Sequence, residues 1–155
     1  MLEDRLKKFG LELAKEKTRI IPFGRKSNSK DNFDFLGFTH YNGLTRKGKY
    51  AVIHRTSRKK MKAKKQTAKM WLHENMHKPI DTIMKKLKPK LAGHFRYYGI
   101  SRNSTSLTNF TWYIQCELYK VLNKRHQKRS MKYETYNRIW RGYDMPTPKI
   151  YFSLW

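Results

Sequence analysis

Lys49-Tyr50-Ala51-Val52-Ile53-His54-Arg55-Thr56-Ser57-Arg58-Lys59-Lys60-Met61 holds the point at which the chain changes its periodicity. Up to His54 the run is β-prone. After Ser57 apolar residues recur at helical spacing, with Met61, Ala68, Trp71 and Leu72 set among Arg58, Lys59, Lys60, Lys62, Lys64 and Lys65. A two-residue repeat gives way to a 3.6-residue repeat. The boundary near Ser57 therefore separates a β-containing first third from an all-helical remainder.

Upstream, Phe33 to Tyr41 is a second β-prone run, and Asn42 and Gly43 supply a pair of turn residues that tolerate positive φ, with Gly48 closer to the second strand. A β-hairpin is expected there. Leu2, Leu6 and Phe9 read as the end of a helix with Gly10 at its C-terminal cap, the tail of an element that begins elsewhere. Lys17 to Phe23 holds Thr18, Ile20 and Ile21 before Pro22 and Gly24, which suits a strand and a turn, and the polar stretch from Arg25 to Asn32 reads as a loop. Two or three strands and a helix stub cannot by themselves bury Phe33, Phe35, Leu36 and Phe38.

Downstream, Pro79 limits the first long helix. Ile80, Ile83, Met84 and Leu87 fit a short second helix, and Leu91, Phe95 and Tyr98 a third that stops near Gly99. Leu107, Phe110, Ile114, Leu118, Val121 and Leu122 mark the clearest helix, ending in Lys124, Arg125, Lys128 and Arg129, where cations suit the helix dipole. Tyr133 to Trp140 can form a last helix before Pro146 and Pro148 impose an extended tail. The expected fold class is α+β, a small β-hairpin followed by an all-α helical bundle.

Composition narrows the partner. The 155 residues carry 36 Lys and Arg against 11 Asp and Glu, a net charge of +25, together with 8 Phe, 4 Trp and 10 Tyr. So large a surplus of one sign points to a polyanion, and aromatic rings offer stacking surfaces to bases. Cys116 is the only cysteine, which excludes an internal disulfide and a cysteine-based zinc site and suits a reducing, cytoplasmic setting. The sequence holds no apolar run of about 18 residues and no signal-peptide core, so membrane insertion and secretion are disfavoured.

Two clusters are candidate RNA-binding sites. From Arg55 to Met70 no acidic residue occurs, so Arg58, Lys59, Lys60, Lys62, Lys64 and Lys65 lack compensating partners and are expected to contact a phosphate backbone. Lys124, Arg125, Gln127, Lys128, Arg129 and Lys132 gather at one helix end and loop, where Arg can clamp phosphate bidentately. Arg96 and Arg102 are expected to point to solvent, Tyr97 and Tyr98 inward. Trp71, Trp112 and Trp140 are expected in the core, Cys116 as a buried small residue, and Trp155 as a docked or frayed end.

Two acidic features are candidates for chemistry. His73-Glu74-Asn75-Met76-His77 matches the zinc-protease spacing, but Pro79 follows two residues later and no third ligand is at hand. A helix-end role is the expectation. Asp34 stands alone among aromatics and reads as a strand-edge carboxylate. No catalytic residue and no metal ligand are assigned.

A resemblance adds to this reading. Arg5-Leu6, Phe9-Gly10-Leu11, Glu16-Lys17-Thr18 and Phe23-Gly24, followed by Phe33-Asp34-Phe35-Leu36-Gly37-Phe38, resemble the last two sequence blocks of the palm of group II intron reverse transcriptases. Leu72, Glu74, Asn75, His77, Lys78 and Pro79, then Leu87, Pro89, Leu91, Gly93, Tyr97, Tyr98 and Gly99, and finally Lys124-Arg125, Lys128-Arg129-Ser130 and Tyr133, resemble that family's maturase-specific region. The resemblance implies a C-terminal palm remnant over residues 1–56 and a thumb, or X maturase, domain over 57–155. It implies that this module grips group II intron RNA for splicing and holds a template and primer duplex.

The sequence departs from the family pattern in lacking the fingers and the early palm. Two-metal phosphoryl transfer needs clustered carboxylates, and the only adjacent acidic pair is Glu3-Asp4, in the wrong place. Alone, the chain is not expected to polymerise. It would be a truncated reading frame, an excised fragment or half of a split enzyme. No cofactor is expected, Mg²⁺ entering only with bound RNA or a complementing chain. Two alternatives stand: a polymerase half active only with a fingers and palm polypeptide, and a generic basic binder of structured RNA.

Overall fold

The structure, a computed structural model, describes residues 2–18, 20–25, 30–125 and 130–153. Along the chain run α1 (Leu2–Lys7), a single 3-10 turn (Lys15–Lys17), β1 (Asn32–Phe35), β2 (Phe38–Leu44), β3 (Tyr50–Thr56), α2 (Arg58–Glu74), α3 (Ile80–Tyr98), α4 (Ser104–Lys124) and α5 (Tyr133–Gly142). The α+β class expected from the sequence is the one observed.

The change of period at Ser57 is made by Ser57 itself. It holds extended dihedrals of φ −61° and ψ 142°, and its hydroxyl accepts from the Lys60 N–H at 3.4 Å. That bond occupies one of the donors a helix start leaves without partners.

The β region differs from the expected hairpin. The Phe33 to Tyr41 run is cut at Leu36 and Gly37, whose φ values of 48° and 84° are both positive. A two-residue loop of this hand matches strand twist, so Phe35 pairs with Phe38 and a third strand results. The sheet is antiparallel in the order β1-β2-β3. Asn42 and Gly43 are not a turn: they pair with Val52 and Ala51 inside β2. Cross-strand packing holds them there. Tyr50 donates its hydroxyl proton to Asn42 Oδ1 at 2.8 Å, and a Cβ on residue 43 would sit 2.6 Å from Ile53 Cγ1. The reversal lies later, where the Thr45 N–H donates to the Lys49 carbonyl at 2.7 Å.

The strand expected over Lys17 to Phe23 is not formed among the described residues, and Ile20 is 95% exposed. No described strand pairs with it, and its contact with the sheet is made by a side chain, Phe23 meeting Phe33 of β1 edge-on at 5.4 Å.

The two helices expected between Ile80 and Tyr98 are one. Leu87, Leu91, His94, Phe95 and Tyr98 stay in a continuous buried stripe across Pro89, which is exposed. Burying that stripe outweighs the roughly 3 kcal/mol that an interior proline costs. The core joins α2 through α5, with Leu72, Ile83, Leu91, Phe95, Leu107, Ile114, Leu118, Leu122 and Tyr136 buried and Phe38 reaching in from the sheet.

Asn103, fully buried, ties the sheet to the helices. Its Oδ1 accepts from the Thr56 N–H at 2.9 Å, and its Nδ2 donates to Thr56 Oγ1 at 2.9 Å and to the Tyr98 carbonyl at 2.8 Å. At the other side of this junction the extended tail docks. Tyr151 N–H donates to the Gly99 carbonyl at 2.7 Å and Ser101 N–H to that of Phe152 at 2.9 Å. A Cβ on residue 99 would lie 2.7 Å from the Lys149 carbonyl, so only glycine admits the tail.

Candidate nucleic-acid interface

Helix α2 is a ridge between two grooves. Its inner stripe of Met61, Ala68, Trp71 and Leu72 packs on the core, and Arg58, Lys59, Lys60, Lys62 and Lys64 remain exposed. Lys65 falls on the inner side. Its ammonium sits 4.9 Å from the centre of the Tyr113 ring, a cation over an aromatic face.

Toward α3 the ridge borders a cleft of about 890 Å³. Lys60 and Lys64 from α2 and Lys90 from α3 line it, with Trp71, Tyr97 and His94, and Leu87, Leu91 and Ile114 are among its apolar residues. Lys90 Nζ lies 5.1 Å from the centre of the Trp71 ring. Tyr97, exposed, stacks on Phe38 at 6.1 Å and donates its hydroxyl proton to the Leu36 carbonyl at 3.0 Å. Toward α4 a smaller groove of about 450 Å³ gathers Arg58, Lys62, Lys65, Gln66, Ser106, Asn109 and Tyr113. The six basic residues expected on this helix are thus divided between two recesses, apart from Lys59, which lines neither.

His94 is buried and stacks on Phe110 at a centroid separation of 3.9 Å. Burial, reinforced by the Lys64 charge, lowers its pKa from 6.5 to about 4, so the ring is neutral near pH 7. Its Nε2 has no hydrogen-bond partner. A second imidazole pair lies on the sheet, where His40 Nδ1 and His54 Nδ1 are 2.7 Å apart. Burial, then the His40 and Arg102 charges, lower the His54 pKa.

The second expected cluster is only partly described: Gln127, Lys128 and Arg129 lie outside the described residues, as does Trp155. Lys124 and Lys132 are exposed. Arg125 is half-buried. One of its terminal nitrogens donates to the Lys78 carbonyl, its Nε is buried without a partner, and burial lowers its pKa. It pins the end of α4 to the α2–α3 connection, which leaves less of its fork for phosphate.

Arg96 is exposed as expected. Arg102 is not turned to solvent: with φ 68° it is half-buried and donates to the Val52 carbonyl at 3.2 Å, bracing β3. Tyr98 is buried, whereas Tyr97 is exposed. Trp71 and Trp140 pack against the core, but Trp112 is 64% exposed. It follows Phe110 by two residues, which rotates it by about 200° from the buried face of α4. Cys116 is half-buried.

The zinc-protease spacing does not become a site. Helix α2 ends at Glu74, so His77 does not continue its face, and Asn75 caps the end, its Nδ2 donating to the Trp71 carbonyl at 2.7 Å. Lys78 Nζ donates to Asn75 Oδ1 at 2.7 Å. Among the described residues no three His, Cys, Asp or Glu side chains come together in a metal-binding group. Asp34 is an exposed strand carboxylate that accepts from Thr39 Oγ1 across the β1–β2 ladder.

The model of the group II intron maturase-specific domain matches residues 54–140, more than half of the chain. The chain belongs to this family. The match begins in β3, runs through α2, α3 and α4, and ends within α5, so both grooves flanking α2 are built largely from the maturase-specific domain. Membership ties the chain to group II intron maturation. Searches of curated proteins and of solved structures find no match. No helix among the described residues is long and apolar enough to cross a membrane.

Lys90, Trp71, Tyr97 and Tyr113 line the candidate interface without a signal of their own in the sequence. Lys90 and Tyr97 lie off the core stripe of α3, and their relation to Lys60 and Lys64 exists only once α2 and α3 both pack on α4, whose Phe110 and Ile114 also line the cleft.

Proposed function

We propose that the chain is an RNA-gripping maturase module: a thumb, or X, domain over residues 57–155 joined to a palm remnant over 1–56, without a polymerase site of its own. Its ligand is structured group II intron RNA, which it holds for splicing. The observation that carries this reading is the basic ridge of α2, free of acidic residues from its first turn to Met70, with basic recesses containing aromatic side chains on both flanks. Phosphate neutralisation by Arg58, Lys59, Lys60, Lys62, Lys64 and Lys65 supplies affinity, and aromatic walls favour exposed bases over a plain duplex. Arg96, Lys124 and Lys132 extend the basic surface, and Gln127, Lys128 and Arg129 stay RNA-binding candidates on their sequence alone, whereas Arg102 and Arg125 serve the surface by positioning the elements around it. The chain works in the cytoplasm and holds no metal, Mg²⁺ arriving with the RNA.

A second reading is favoured by one feature. Phe35 and Leu36 are 59% and 66% exposed on the outer strand and its turn. Such a patch suits a covering fingers and palm polypeptide, with which the chain would hold a template and primer duplex.

The deciding experiment is a salt titration of binding to a folded group II intron RNA beside an unrelated structured RNA of equal length. A preference of about a hundredfold, near 2.7 kcal/mol, that persists as salt rises is the expected result. Parallel loss of both RNAs would reduce the chain to a generic charge-driven binder. Restored DNA synthesis on mixing with a fingers and palm chain would establish the second reading.

A further inference from the structure

We infer that the cleft between α2 and α3 is a receptor for a single unstacked RNA nucleobase, its flanking phosphates held by Lys60, Lys64 and Lys90. This rests on the RNA-binding reading above and makes it specific. A volume of about 890 Å³ is in the range of small-molecule sites and larger than one base and its sugar need. The interior is apolar along Leu87, Leu91 and Ile114, as a desolvated ring requires, and Trp71 and Tyr97 are flat walls for stacking.

Charge identifies the occupant. None of the lining residues is acidic, and the cations are three lysines from two helices. An apolar protein segment would fill the interior but leave those ammonium groups unused. A nucleotide offers both chemistries in one residue, an aromatic ring beside two phosphates. His94 lines the cleft and is nine-tenths buried, its ring stacked on Phe110 and its Nε2 enclosed below the surface without a partner within the chain. Buried polar atoms are rarely left so.

The turn between β1 and β2 completes the wall. Leu36 also lines the cleft, exposed and held at a φ of 48° that leucine seldom adopts, with its carbonyl bonded to Tyr97. A hairpin turn thus fixes the orientation of one stacking ring.

The test uses the full chain and two hairpin RNAs that differ only in one bulged residue, a normal nucleotide in one and an abasic one in the other. Phosphate number is the same in both. The normal bulge is expected to bind about tenfold more tightly, which is about 1.4 kcal/mol. Gly93 lines the cleft and an added Cβ there meets nothing within 4 Å, so Gly93→Phe fills the space without removing a charge. This variant should bring the normal bulge to within about twofold of the abasic one and leave the salt dependence unchanged. Equal binding of the two hairpins by the unmodified chain, or a tenfold gap that survives in Gly93→Phe, overturns the nucleobase site while leaving RNA binding intact. Failure to bind either hairpin or intron RNA overturns the RNA reading and the cleft assignment together. Should Gly93→Phe not fold, the abasic comparison in the unmodified chain still decides.

Discussion

Phe35 and Leu118 are both large apolar residues on regular elements, yet Phe35 is 59% exposed on a strand and Leu118 is fully buried in a helix. The same contrast runs through the regions they belong to. Helices α2 to α5 close over one core, whereas the sheet contributes Phe38 to that core and leaves Phe35, Leu36 and Leu44 uncovered. Hydrogen bonding, more than burial, holds the sheet in place: Asn103 grips Thr56, and the Ser57 N–H donates to the Gly37 carbonyl at 2.9 Å. The helical part is stabilised by its own interior, and the sheet by its attachment to it.

Leu118→Ala should cost about 3–5 kcal/mol, since it deletes a fully buried side chain and leaves a void. Phe35→Ala should stay within about 0.5 kcal/mol of the unmodified chain. Urea midpoints for the pair measure the contrast directly, and a comparable loss at both sites would erase it. Asn103→Ala comes next, at about 3 kcal/mol, because the buried Thr56 N–H loses its acceptor and Thr56 Oγ1 and the Tyr98 carbonyl lose their donor. Hydrogen exchange is the sharper readout: amides of β2 and β3 should lose protection while those of α4 keep most of theirs.

Acid probes the helical side. Unfolded, His94 takes a proton near pH 6.5; folded, only at about 4. Between these values the unfolded chain binds more protons, so stability is complete above 6.5 and falls as the pH drops toward 4, by up to about 3 kcal/mol. His54, also lowered, acts in the same direction from the sheet side. Thermal melts from pH 7 to 4 should therefore show a decline that His94→Phe largely flattens. A profile as steep in that variant would assign the acid sensitivity to the sheet instead.

The smallest effect is a gain. Leu36 holds a positive φ at the β1–β2 turn, where Asn-Gly is the favoured pair, so Leu36→Asn should stabilise by about 0.5–1 kcal/mol. A loss would mean that the exposed leucine packs on something that its exposure conceals.

The helical side was the legible one. Leu107, Phe110, Ile114, Leu118, Val121 and Leu122 announce a buried face by spacing alone, and all six are buried. The sheet was less so, for identifiable reasons. A turn built on Leu36 carries none of the usual turn residues at its first position, while Asn42 and Gly43 carry the turn signature and sit in a strand. Proline at 89 suggests a break that packing overrides. At the interface, the α2 cations were evident from the absence of acidic residues, but the cleft was not: its walls come from Lys60, Lys90 and the Leu36 turn, distant in sequence. Asn103 likewise gave no signal, since its partners lie 47 residues away at Thr56 and at the end of the preceding helix.

The cationic surface of α2, without an acidic residue up to Met70, also sets how the molecule responds to its ionic medium. With 36 cationic side chains against 11 anionic ones, the unbound chain repels itself, and added electrolyte, by screening that repulsion, should make it harder to unfold. The same ions compete with it for phosphate. Rising ionic strength should therefore strengthen the free fold while loosening the proposed hold on RNA, and in dilute buffer a bound nucleic acid would itself take over the part of the counterion cloud.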